Sequence, residues 1–370
     1  MGDDVILVIV VATALTFDFT NGFHDTANVV ATAISTRAVP PRLAVTLASI
    51  LNFIGAFISL EVAATVAKGI VQADLITPTI VFAGLIGAIA WNLATWYFGL
   101  PSSSSHALIG GMVGAAFVAE GSEAVLGEGI LGKVIVPALI APLLAFLVAG
   151  AAILLAYRIV GALRPGPVSR GFRLGQVISG GLLALSHGTN DAQKTMGVIT
   201  LALVAHGDIA SDNFHVPDWV VISSATAIAL GTYTGGWRII KTMSSRIIKM
   251  DAAQGFSAQG AGAVVILASS HFGYPLSTTH VINGGILGAG AAKRVSAVRW
   301  GIAGNIAIAW VLTLPASALI GGLVYAITRI FGTGAAGPVI VFAALALGVL
   351  VLFARRFQQG SPITATGAQP

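Results

Sequence analysis

The sequence contains no cysteine, so disulfides and thiolate metal sites are excluded. Charge is almost as scarce. Only 9% of the 370 residues are Asp, Glu, Lys or Arg, against about 25% in an ordinary soluble protein. With 56% of its residues apolar, a soluble fold of this length could not hide its apolar surface. The chain therefore reads as an all-α polytopic membrane protein. Its apolar runs are long and continuous, which argues against the alternating pattern of a transmembrane β-barrel. The 45 glycines suit close helix packing in lipid.

The net charge of +5 does not point to nucleic acid. The basic residues gather at 37–42, 158–173, 238–249, 293–299 and 355–356, and the positive-inside rule assigns those loops to the cytoplasm. Acidic stretches at 3–4, 120–128 and 208–218 are assigned to the outside. The expectation is a multi-pass protein of the inner (plasma) membrane, with its N-terminus outside and its C-terminus cytoplasmic. Asp3 and Asp4 precede the first apolar run, where a signal peptide would carry basic residues, so this start reads as part of the mature protein. Residues 237–250 (WRIIKTMSSRIIKM) read as a basic amphipathic helix lying on the cytoplasmic face.

Two polar strings stand out against this background, and each occurs twice. GFHDTAN at 22–28 is echoed by GTNDAQK at 188–194, and PSSSSHALIGG at 101–111 by PLSTTHVINGG at 275–285. Polar groups at membrane depth are costly and usually face a bundle interior or a substrate path. Duplicated units with a site between them are the pattern of inverted-repeat secondary transporters. The charge-based path runs the Asp25 segment inward and the Asp191 segment outward, so the halves have opposite topology. The expected organisation is a first repeat over 1–157, a basic cytoplasmic linker over 158–175, a second, inverted repeat over 176–357 and a disordered polar tail over 358–370. The Pro101 and Pro275 strings read as re-entrant hairpins meeting at the repeat interface, or as ordinary crossings joined by a deep turn.

Aligning the first pair sets Asn21 opposite His187, Gly22 opposite Gly188, His24 opposite Asn190, Asp25 opposite Asp191 and Asn28 opposite Lys194. Asp and Asn are hard oxygen ligands, and with nearby carbonyls they could hold a small cation or a proton. The adjacent glycines would let the helix unwind there. The bland alternative is that the aspartates cap helix ends. In the second pair, Ser103, Ser104, Ser105 and His106 match Ser277, Thr278, Thr279 and His280. Proline suits a first helical turn, and hydroxyls with free amides at a helix N-terminus bind phosphate-like anions. Two such turns face to face form a donor cage, unless the hydroxyls are merely small packing residues. His106 and His280 would support the hairpins by bonding to backbone. Lys194 would neutralise an anion or pair with Asp191, and would disfavour a second metal ion; the alternative is that it snorkels to the surface.

These strings resemble the inorganic phosphate transporter (Pit) family, which includes bacterial low-affinity carriers and eukaryotic sodium–phosphate symporters. The resemblance covers nearly the whole chain. DFTNGFHDTANVVAT at 18–32 with SHGTNDAQKTMG at 186–197 is especially similar to the proton-coupled bacterial branch. The resemblance implies a carrier without a cofactor, not an enzyme, with phosphate seated between the hydroxyl-rich hairpins and the Asp-bearing segments, and ion coupling through Asp25, Asn28, Asp191, Asn190, Asn21 and His24. Sodium-coupled relatives tend to read GANDVAN in both halves. Here His24 and Lys194 replace two of those asparagines, and the lysine removes a neutral oxygen ligand. Proton symport by alternating access is therefore the expectation, with phosphate free or complexed to a divalent metal. The alternatives are a single sodium at Asp25 and Asn28, and a carrier or channel for another oxyanion such as sulfate. Carboxylates in an anion pore repel the permeant ion, which argues against the channel. The expected partners are inorganic phosphate, membrane lipid and a second copy in a homodimer.

Overall fold

The computed structural model describes residues 2–210, 214–332 and 334–358, with side chains from 4 to 348. Residues 359–370 of the expected tail lie outside the described residues. Fourteen α-helices are present, with no strand among the described residues. Among the described residues, four stretches are long and apolar enough to cross a membrane: Asp4–Ser35, Pro78–Phe98, Gly127–Val160 and Trp300–Ile330.

Two helical hairpins organise the molecule. The first joins α4 (Pro78–Phe98) to α5 (Ser104–Glu120) and the second joins α11 (Ala252–His271) to α12 (Thr278–Lys293). Each second helix begins inside a polar string because a serine stops its first turn. Ser103 Oγ accepts from the His106 amide at 3.1 Å, and Ser277 Oγ from the His280 amide at 3.3 Å, which are N-caps at matching positions. The hairpins exchange supports: α5 packs on α13 (Trp300–Ile330), while α12 packs on α7 (Val136–Val160). The helices carrying the carboxylates have matching neighbours. The long α1 (Gly2–Ser35) packs against α9 (Asp218–Thr234), and α8 (Pro165–His206) against α2 (Pro41–Gly55) and α3 (Glu61–Lys68).

Four details differ from the sequence reading. First, α1 and α8 stay helical through GFHDTAN and GTNDAQK. The glycines serve packing instead: a Cβ on Gly22 would strike the backbone of Ile228 and Thr232 on α9, and one on Gly188 the backbone of Asn52 on α2. Second, the basic stretch 158–175 is helical except at 161–164, because Pro165 sits in the first turn of α8, where its missing amide is harmless. Third, residues 237–250 form no single helix. A short α10 (Trp237–Lys241) runs into a π turn (Thr242–Arg246), and Ile239, Ile240, Met243, Ile247 and Ile248 are buried in the protein instead of facing lipid. Arg238 lies over the rings of Trp96 and Tyr97. Fourth, the stretch 43–67, which the charge-based path runs as one outward crossing, is broken between α2 and α3. Gln193 Oε1, from GTNDAQK, caps the restart by accepting from the amides of Val62 (2.8 Å) and Ala63 (3.2 Å).

Asp251 clamps the open end of the second hairpin. Its Oδ1 accepts from the Gln254 amide, while Gln254 Oε1 accepts from the Asp251 amide, both at 2.9 Å, a capping box on α11. Its Oδ2 accepts from Tyr157 Oη (2.7 Å) on α7 and Lys293 Nζ (2.8 Å) on α12. Burial raises the Asp251 carboxyl, but the donors from Lys293, Tyr157 and Gln254 outweigh it and hold the group below its ordinary value. A depressed carboxyl stabilises the fold above its unfolded value, and that stabilisation is lost as pH falls through the folded value. Thermal unfolding in detergent should show an acid limb below about pH 4 that flattens in Asp251→Asn. The variant should also lose about 1 kcal/mol at neutral pH.

Candidate functional site

The hairpin tips touch. Ser105 Oγ of the first donates to the Leu276 carbonyl of the second at 3.0 Å. Behind them the rings of His106 and His280 meet edge to face at 4.7 Å. The long helices then reach across. Asn28 on α1 donates to Thr278 Oγ1 (3.2 Å) and Thr279 Oγ1 (2.9 Å). Its counterpart Lys194 on α8 donates to Ser105 Oγ and to the Leu276 carbonyl (2.8 Å). Each half thus grips the hairpin of the other.

The same hydroxyls hold the carboxylates. Ser104 Oγ lies within hydrogen-bond reach of Asp25 Oδ2 and of Asn21 Oδ1 at 2.6 Å. Thr278 Oγ1 reaches Asp191 Oδ2 at 3.3 Å, and Thr279 Oγ1 reaches Asp25 Oδ1 at 3.4 Å. Lys194 pairs with Asp191. His24 Nδ1 lies 2.6 Å from Asp25, and His187 Nε2 lies 3.1 Å from Asp191 but off the line of a hydrogen bond. All of these residues are buried, and Lys194 is only 1% exposed. It does not snorkel. Nor do Asp25 and Asp191 cap helix ends, since both lie inside α1 and α8.

A buried ion pair is tolerable when further hydrogen bonds satisfy its free atoms, and here they come from both halves. One ligand atom each from Asp25, His187 and Asp191 lies within 4.8 Å of the others. Two carboxylates and an imidazole could receive a cation, but the Lys194 ammonium already sits on Asp191 and would repel it.

The remaining candidates occupy supporting positions. Ser103 and Ser277 spend their oxygens on the caps. Asn190 turns away from the carboxylates and donates to Ser270 Oγ (2.8 Å) and the Tyr274 carbonyl (3.1 Å), bracing the second hairpin. His280 stacks on Trp310 at 4.1 Å. Trp310 in turn donates to the Pro101 carbonyl at 3.1 Å. The packed rings thus stand behind the Ser105–Leu276 bond that joins the tips.

Sequence reasoning missed His187, Thr95 and Ser102. His187 stands one helical turn before Asp191 on the same face, a signal that was available. Thr95 Oγ1 and Ser102 Oγ reach His24 Nε2 at 3.1 Å and 3.4 Å; Ser102 lies inside the PSSSSHALIGG string, whereas Thr95 meets His24 through tertiary contact that no local pattern announces.

Removing one partner of a buried pair is strongly destabilising because a dry charge remains. Lys194→Met should cost about 3–5 kcal/mol by denaturant unfolding in detergent. Adding Asp191→Asn to that variant should recover most of the loss.

A polytopic helical membrane protein with one polar site built from two like halves is the architecture of a carrier. Residues 21–168 and 160–321 match the Phosphate transporter family, and the chain belongs to that family; it is a transporter and not an enzyme. It is 51% identical over 350 residues to a protein of Mycobacterium tuberculosis (strain ATCC 25618 / H37Rv) named probable low-affinity inorganic phosphate transporter, covering 95% of this chain and 84% of that one. Proteins of the same name from Rhizobium meliloti and Bacillus subtilis are 49% and 43% identical over 321 and 327 residues. They cover 86% and 87% of this chain, and 96% of each relative. Among solved structures, the sodium-dependent phosphate transporter shares the fold, with a TM-score of 0.79 at 24% identity over 88% of this chain and 99% of that one.

Proposed function

We propose that this protein is a low-affinity inorganic phosphate importer of the inner membrane, a proton symporter working by alternating access. The relatives named above support the substrate and the affinity class. The observation that carries the mechanism is the convergence of Ser104, Thr278, Thr279 and Lys194 on Asp25 and Asp191. Those donors suit a tetrahedral oxyanion, and in the closed protein they are held by the carboxylates. Phosphate and carboxylate compete for them. A proton on Asp25 or Asp191 removes an acceptor charge, weakens these bonds and frees the donors for the anion.

Phosphate would take the hydroxyls of Ser104, Ser105, Thr278 and Thr279, the Lys194 ammonium and the first-turn amides of α5 and α12, whose helix dipoles favour an anion. Ser103 and Ser277 would act through their caps. Asn21, Asn28, Asn190 and His24 would position the carboxylates and the tips. Because protonation and anion binding favour each other, the coupling is reciprocal. Lys194 at Asp191 argues against two symmetric sodium sites. The Asp25, His187 and Asp191 group supports a second reading, in which one sodium, or a divalent ion arriving with phosphate, binds there.

Uptake of labelled phosphate into proteoliposomes under imposed gradients tests the proposal. Accumulation should follow a pH gradient, and sulfate should compete weakly. Asp25→Asn and Asp191→Asn should each abolish accumulation. Uptake by the wild type that is indifferent to both proton and sodium gradients would rule out symport.

A further inference from the structure

Asp18 stands seven residues, two helical turns, before Asp25 on α1, and so on the same face of that helix. It is fully buried, yet neither of its carboxylate oxygens has a hydrogen-bond partner. Beside it are Asn21 and Thr195. Asn21 Nδ2 and Thr195 Oγ1 are also buried without partners. Four unpartnered polar atoms thus cluster where α1 faces α8, although buried polar groups in proteins are ordinarily satisfied. The charged groups that reach Asp18 are Asp191, which repels a carboxylate, and Lys194, which attracts it; both are on α8. Lys194 is already committed to Asp191, Ser105 and the Leu276 carbonyl.

A bare carboxylate in this dry setting is far costlier than a neutral carboxylic acid. A hard metal cation does not solve the problem. The cluster offers two oxygens from Asp18, one from Thr195 and one from Asn21 Oδ1, which lies 2.6 Å from Ser104 Oγ; such cations want about six oxygens. A proton does solve it. The acid then donates to Thr195 Oγ1, and its other oxygen accepts from Asn21 Nδ2.

We propose that Asp18 is a proton-binding site of the transport cycle, taking a proton when the bundle closes and releasing it to water when the bundle opens. The second half has no equivalent: the position aligned with Asp18 is Ala184. One such proton is therefore carried per cycle, distinct from any on Asp25 or Asp191. The inference rests on the proton-coupled reading above.

The test uses full-length protein in proteoliposomes, with wild type, Asp18→Asn and Asp18→Ala side by side. Asn is the neutral isostere, and Ala copies residue 184. Exchange of labelled for unlabelled phosphate between equal pools should persist in both variants. Accumulation under a gradient of one pH unit should fall about tenfold, the share of one proton per phosphate, and the pH profile of exchange should flatten. If wild type and both variants accumulate phosphate alike under the pH gradient, the assignment of Asp18 is overturned while proton symport stands. A wild type driven by sodium and blind to pH overturns both. If neither variant folds or exchanges phosphate, the assignment is also overturned, because a group that is neutral in the closed state should tolerate a neutral replacement.

Discussion

Two buried carboxylates are shared between the hydroxyls of two hairpin tips and a single ammonium, and the rest of the structure serves that arrangement. Asp25 takes Ser104 and Thr279, while Asp191 takes Thr278 and Lys194. In a low-dielectric interior such bonds are strong, and breaking any one of them is expensive. A molecule held shut in this way needs a reason to open. In the proposed cycle proton and anion would supply it together, one weakening the acceptors and the other replacing them.

The fold delivers these groups by close approach. Gly22 and Gly188 press α1 and α8 onto the backbones of α9 and α2, which fixes the neighbouring carboxylates within a fraction of a side-chain length. The serine caps start α5 and α12 where their hydroxyls face the carboxylates. The cross-braces from Asn28 and Lys194 make the tips depend on both halves at once. The braces are not alike: an amide on one side and an ammonium on the other leave the two carboxylates in unequal surroundings.

Much of this was legible in the sequence, because lipid makes polar residues conspicuous. The doubled strings and the Pro-led hairpins followed from composition and repetition, and the place of Asp25 and Asp191 beside the hairpins from the family resemblance. What escaped depended on contacts far along the chain. The glycines read as hinges because their close neighbours, Ile228 and Asn52, are invisible locally. Residues 237–250 read as a membrane-surface helix because burial by the protein and burial by lipid leave the same amphipathic pattern. Asn190 matched His24 by alignment, yet it faces Ser270. Asp18 lay just outside the repeated string, and its lack of a twin at Ala184 hid it from an eye trained on duplication.

Protonation of the carboxylates and phosphate binding should promote each other, because both release the same set of bonds. Calorimetry of phosphate binding to the detergent-solubilised protein, in buffers of different ionisation enthalpy, measures this coupling directly. After correction for the titration of phosphate itself, binding should take up protons, and affinity should rise as pH falls. Binding with no net proton exchange, and with an affinity unchanged across that range, would contradict the account.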